Sequence, residues 1–254
     1  MLKFAIATLA AFVAIASATA DDAAIKTVTA GIKAHGGEEA LKKNKAGDMK
    51  MKGSMAILGM DLEFTGSVLY QLPDQFKMII DTSVVGQKMS IVQVGNGDKF
   101  KTTINGAAQK LDDKTKDELR QGASSQEISM LYPLLDKEKY TIKAGKDAKI
   151  AKIAKIADVE CTAVVVEGKK TKTMTLYFDK KTGLLHATTR KSLAPGSGDE
   201  VEEESVMTDY KEVEGVKIPM KMLVKHDGKT FMSTTFTEAK LSAKLDPKVF
   251  AVDE

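Results

Sequence analysis

The spacing of apolar residues predicts a short helical start followed by a long run of strands. Ala24, Ile25, Val28 and Ile32 recur at helical spacing, and His35-Gly36-Gly37 ends the run. This predicts an N-terminal amphipathic helix over residues 23–34 with a glycine C-cap. Residues 38–43 continue as one or two further helical turns. After Lys45 the period changes to two. Met49, Met51, Met55 and Ile57 alternate with lysines, and Leu62, Phe64, Val68 and Tyr70 alternate with Asp61, Glu63, Thr65 and Ser67. Such alternation predicts strands with one buried face.

Leu72-Pro73-Asp74-Gln75 reads as a turn, after which Phe76, Met78 and Ile80 resume the alternation. Met89, Ile91 and Val92 precede Asn96-Gly97, and Phe100, Thr102 and Ile104 precede Asn105-Gly106. Both Asn-Gly pairs suit tight hairpins. Residues 112–136 break the rhythm: they begin polar and end in an apolar cluster of Ile128, Met130, Leu131, Leu134 and Leu135 around Pro133. They predict one or two helices inserted between strands. Further strands are expected over residues 140–144, 159–166, 173–178, 184–191, 202–210, 216–225 and 230–241. About ten to eleven strands in meander order make a mainly β protein with one large antiparallel sheet curled on itself. Ala-Lys-Ile repeats three times over residues 148–156. It reads either as a local duplication lengthening a strand or its loop, or as a basic patch touching lipid.

The first residues change the picture of where this sheet works. Lys3 precedes an apolar stretch over residues 4–16, and small residues at Ala18 and Ala20 come before Asp21-Asp22. This predicts a signal peptide over residues 1–20, cleaved after Ala20, and one soluble exported domain over residues 21–254. The apolar run is shorter than the roughly 20 residues a spanning helix needs. Cys161 is the only cysteine, so an internal disulfide is excluded and a hydrophobic core must supply stability. A formal charge of +3 points to no particular partner. With Arg120 and Arg190 as the only arginines and no tryptophan, nucleic-acid binding is not expected.

Catalytic and metal motifs are not apparent. His35, His186 and His226 each stand apart from carboxylates or cysteines at ligand spacing, and structural roles are expected for all three. The chain has no nucleophile elbow, no phosphate-cradling loop and no Cys-x-x-Cys pair. The acids Glu202-Glu203-Glu204 read as a solvated strand edge, and Cys161 as a small core residue. The reading is of a non-enzyme without a cofactor. The positive signal is methionine: 13 residues against 9 phenylalanines, many of them on apolar strand faces. A face paved with this flexible, polarizable side chain either adapts to a ligand of variable shape or fills an irregular core.

Five segments carry a resemblance. They are the helix end Ala34-His35-Gly36-Gly37-Glu38, the hairpin around Tyr70-Gln71-Leu72-Pro73-Asp74-Gln75-Phe76, and the stretch Leu176-Tyr177-Phe178-Asp179-Lys180-Lys181-Thr182-Gly183-Leu184-Leu185. Asp209-Tyr210-Lys211-Glu212-Val213-Glu214-Gly215-Val216-Lys217-Ile218-Pro219 and the ending Leu245-Asp246-Pro247-Lys248-Val249-Phe250 complete the set. Together they resemble outer-membrane lipoprotein-sorting-like proteins, relatives of the LolA/LolB periplasmic carriers, of the planctomycete type. The resemblance implies an incomplete antiparallel barrel whose helices lie as a lid over an apolar cavity for lipid or acyl chains. A buried arginine in an early strand helps move that lid in the sorting carriers. Arg120 and Arg190 fall in the inserted helix and a late strand, so the resemblance assigns neither that role.

The expected ligand-binding positions are Met51, Met55, Leu62, Phe64, Val68, Tyr70, Phe76, Met78, Ile80, Met89, Ile91, Leu176, Phe178, Met220 and Met222. The expected function is a soluble, monomeric periplasmic carrier for a lipid or an acylated protein, loaded and unloaded by membrane-associated partners. The alternative is a sensing or scaffold domain that uses the same sheet for protein contacts and keeps its interior filled.

Overall fold

The structure, a computed structural model, describes residues 16–57, 59–150, 159–195 and 197–252. The first fifteen residues of the expected signal peptide, and most of the Ala-Lys-Ile repeat, lie outside them. Helices α1 (Ala16–Ala34) and α2 (Glu38–Lys43) lead into β1 (Ala46–Ile57), β2 (Met60–Gln71), β3 (Gln75–Val84), β4 (Gln87–Asn96), β5 (Lys99–Ile104) and β6 (Ala107–Ala108). Helix α3 (Asp113–Ser129) and a short 3-10 turn (Tyr132–Leu135) follow. The chain then forms β7 (Tyr140–Ala144), β8 (Ala148–Ile150), β9 (Val159–Gly168), β10 (Thr171–Asp179), β11 (Leu185–Leu193), β12 (Glu200–Val213), β13 (Val216–His226) and β14 (Lys229–Ser242). Among the described residues no helix is long and apolar enough to cross a membrane.

The fourteen strands among the described residues form one antiparallel sheet in the order β6-β5-β4-β3-β2-β1-β14-β13-β12-β11-β10-β9-β7, with β8 also on β9. Its ends, β6 and β7, do not pair, so the sheet is an incomplete barrel. The short β6 and β8, with two and three residues, largely account for a strand count above the ten or eleven expected. The N- and C-terminal strands meet in the middle, Met55 opposite Met232. Register shifts at Lys50/Met51, Tyr177/Phe178 and Val224/Lys225 add local bends to the twist every sheet carries, which helps it curl.

The helices pack on the inner face. Ala24, Val28 and Ile32 of α1 are buried in the same cluster as Val164, Val166, Leu176 and Phe178 of β9 and β10. Burying Val28 and Ile32 stabilises this contact by about 1.5–3 kcal/mol per side chain. Close approach depends on Gly31, where a Cβ would fall 2.5 Å from the Phe178 ring. A second cluster, Met51, Met55, Leu62, Phe64 and Ile80, fills the inner face of β1–β3. Cys161 is fully buried in a third, with Ala187 and Val206.

Candidate functional site

Helix α3 is a polar helix held over the sheet by polar side chains. Asp112 caps it by accepting from the Thr115 N–H at 2.8 Å, and the hydrogen bonds from Thr115 hold its carboxyl below the usual range. Its buried residues are Gln121, Glu127 and Ile128, so it has no wide apolar stripe. Gln121 instead brackets the β9–β10 hairpin, donating to the Lys170 carbonyl at 3.3 Å and accepting from Lys172 N–H at 2.8 Å. Glu127 accepts from both the Lys139 ammonium, at 2.6 and 2.7 Å, and the Tyr140 hydroxyl, at 2.8 Å. Burial, followed by the Glu127 hydrogen bond, pushes the Tyr140 phenol well above its usual range.

A third attachment is a charged cluster. Arg190 on β11 donates from Nη1 to Glu118 of α3 at 2.7 Å and from Nε to Glu203 of β12 at 2.9 Å. Glu118 also accepts from the Ser192 hydroxyl, and Lys172 lies 3.6 Å from its other oxygen. His226 stacks on Phe231 at 4.2 Å with Nε2 3.5 Å from Glu203. The solvated edge expected for Glu202-Glu203-Glu204 therefore does not hold at Glu203. Its cross-strand partners Arg190 and His226 place it on the inner face.

Helix and cluster roof a cavity of about 330 Å³. Five methionines line it, Met49, Met130, Met174, Met207 and Met222, with Val68, Tyr70, Ile218 and Phe236. From α3 come the small or polar Gly122, Ser125, Gln126 and Ser129. Gly122 and Gln126 are exposed, so the cavity reaches solvent along that side of the helix. Leu131, just past α3, has φ 63° and ψ −47°, and the Tyr132 N–H donates to the Met130 carbonyl across it at 2.7 Å. This is the rare, strained form of the γ-turn, at a fully buried leucine in the cavity wall. A larger cleft of about 560 Å³ lies on another side of α3, but it is lined by many charged residues, including the paired Arg120–Asp98 and Lys139–Glu127.

His35 closes one end. Its Nδ1 lies 2.7 Å from the Gly31 carbonyl, which requires the proton on Nδ1, and its ring meets Tyr210 edge-on at 5.6 Å. Desolvation, opposed by the Gly31 bond and aided by Lys217, lowers its pKa. Tyr210 donates to the Leu185 carbonyl.

Of the fifteen expected ligand-binding positions, Val68, Tyr70 and Met222 line this cavity. Met51, Met55, Leu62, Phe64 and Ile80 pack against one another with Met78 and Ile91 beside them. Leu176, Phe178 and Met220 lie in the main core under the helices. Phe76 sits beside Phe100 with ring centroids 6.4 Å apart, and Met89 borders an open groove with Phe64. Met49, Met174, Met207 and Phe236 also line the cavity and lie on strands expected from the sequence, though outside the fifteen. Among the described residues no group of three His, Cys, Asp or Glu side chains is arranged to hold a metal.

No family model and no curated protein matches the chain. Solved structures do. A DUF1329 family protein from Desulfovibrio piger aligns at TM-score 0.54 with 10% identity, over 90% of this chain and 97% of its own. A LolA superfamily protein from Nitrosomonas europaea gives 0.54 and 11% over the same shares. A domain described as outer membrane lipoprotein-sorting, from Vibrio parahaemolyticus, gives 0.53 and 11% over 89% and 97%. At such identity the likeness is one of architecture, and the chain has the LolA-like fold, an unclosed antiparallel sheet curled round its helices.

Proposed function

We propose that this chain is a periplasmic binding or carrier protein that shelters the apolar part of a lipid or acylated protein beneath α3. The observation that carries the reading is the methionine-lined cavity of about 330 Å³ under a helix attached by polar contacts. Its volume falls at the low end of small-molecule sites, about 300–1,000 Å³, and suits one slender chain. Each methylene buried contributes about 0.8 kcal/mol before association costs. A helix whose one buried apolar residue is Ile128 gives up little apolar burial of its own when it lifts, which suits loading and release. Membrane-associated proteins would give and receive the cargo.

On this reading residues 1–20 direct export and are removed after Ala20, leaving residues 21–254 as one soluble, monomeric domain. Helix α1 begins at Ala16, so cleavage trims its start, but Ala24, Val28 and Ile32 stay in the mature chain. The remaining expected positions act as packed support for the wall. The cluster around Met51 and Phe64 favours the second reading, a filled scaffold used for protein contacts, at that end of the sheet. Native mass spectrometry of the mature protein purified from its own periplasm, with organic extraction, decides between them. Stoichiometric lipid or acylated peptide supports the carrier. An empty protein that also refuses a fluorescent fatty-acid probe supports the scaffold.

A further inference from the structure

The apolar cavity contains a hydroxyl that a purely apolar ligand would waste. Tyr70 is 5% exposed, lines the cavity, and its hydroxyl has no hydrogen-bond partner among the described residues. The hydroxyl end of its ring lies over Gly47, its cross-strand neighbour on β1, where a Cβ would fall 2.5 Å from the ring. The backbone is thus shaped to admit a tyrosine. Phenylalanine would fill the same space, whereas the tyrosine hydroxyl faces the cavity and loses any water partner when an apolar chain covers it. Burial pushes the phenol pKa up to about 12, so it keeps its proton and acts as a donor. A second such group lies on the opposite wall. Thr188 is 6% exposed with no partner for its hydroxyl among the described residues, and Ser205 stands directly across from it.

The charged lining groups are spoken for or lie at the mouth. Arg190 is paired with Glu118 and Glu203, and the lowered pKa of His35 keeps it neutral near pH 7. Lys217 is exposed. We infer that the cavity takes an apolar chain bearing an uncharged hydrogen-bond acceptor of the ester or ketone carbonyl class, to which the Tyr70 hydroxyl donates. Thr188 serves the same polar segment from the other wall. This rests on the carrier reading and narrows it: a free fatty acid, with its charge inside, is a poor fit.

The test measures binding of methyl laurate, laurate and dodecane to the delipidated mature protein by displacement of a fluorescent fatty-acid methyl ester. The same set is run on Tyr70→Phe and Thr188→Val, with thermal melts to verify folding. Methyl laurate is expected to bind most tightly and to lose about tenfold in Tyr70→Phe, the worth of one hydrogen bond, while dodecane is unchanged. Thr188→Val should show a smaller loss confined to methyl laurate. If dodecane competes as well as the ester, or Tyr70→Phe leaves the ester unaffected, the inference is overturned and the carrier reading stands. Tight binding of laurate that depends on Lys217→Ala rather than on Tyr70 also overturns it, in favour of a charged group at the mouth. If the wild type binds neither the fluorescent probe nor any ligand, both fail together.

Discussion

Arg190 and Glu118, 72 positions apart, meet at 2.7 Å and join strand β11 to the helix that covers the cavity. Their side chains are 12% and 17% exposed, and Glu203 shares the same guanidinium. The pair is shielded enough to matter and close enough to solvent to be broken and remade. Removing one partner of a buried pair strands the other charge and costs about 3–5 kcal/mol; the residual exposure here puts the effect at or below the low end. Arg190→Met is therefore expected to destabilise by up to about 3 kcal/mol in urea unfolding. Glu118→Gln keeps a hydrogen-bonding side chain at the helix. It should leave the melting temperature nearly unchanged but raise amide exchange across residues 113–129 and speed probe uptake. Unchanged exchange in that segment would mean that Glu118 does not hold α3 down.

Gly31 sets how closely α1 approaches the sheet. A methyl group there would meet the Phe178 ring at 2.5 Å and approach Leu131 at 3.3 Å. Helix propensity alone favours alanine over glycine by about 1 kcal/mol. Overpacking opposes it by about 1–3 kcal/mol and acts against a rigid ring. Gly31→Ala should thus destabilise the protein despite its better propensity, and Gly31→Ala combined with Phe178→Leu should recover part of the loss. A more stable single variant would show that α1 shifts freely on β10.

The lowered pKa of His35 carries a pH dependence whose sign follows from proton binding. Below its unfolded value of about 6.5 the unfolded chain takes up a proton that the folded chain resists. The stability contributed by burying neutral His35 is then present above about pH 6.5 and falls as pH drops through the folded value. Thermal melts at pH 7.5 and 5.5, above the range where ordinary carboxylates titrate, should show a drop for the wild type. His35→Gln, which keeps a donor for the Gly31 carbonyl, should show a smaller one. Equal drops would assign the effect to other groups.

The strands were legible because one face is buried, and alternation records that face directly. Val216, Ile218 and Met220 illustrate it, each buried between exposed or half-buried neighbours. The same parity cannot separate cavity wall from packed core. Met51 and Met222 both point inward, yet one packs in the β1–β3 cluster and the other lines the space beneath α3. That difference depends on where a helix 17 residues long comes to rest, and polar contacts to distant residues such as Arg190 and Lys170 fix it. No local pattern announces them. The left-handed backbone of Leu131 was equally hidden, since glycine is the usual mark of such a position.

Gly122 separates the stability of α3 from its task as a cover. It sits inside the helix, on the cavity side, and a Cβ there would meet nothing within 4 Å. Glycine in a helix interior costs about 0.8–1 kcal/mol relative to alanine, so its presence works against helix stability. Gly122→Ala is expected to stabilise α3 by about that amount and to slow probe uptake by favouring the closed helix. Gly122→Phe adds a ring at the cavity mouth, where the open space accepts it without a clash. It should abolish probe binding while the melting temperature stays near that of wild type. If both variants bind the fluorescent fatty-acid probe as the wild type does, the space beneath α3 is not where the ligand goes. If Gly122→Phe alone loses binding, occupancy of this cavity is what the probe reports, and the slower uptake of Gly122→Ala measures how far α3 must loosen to admit it.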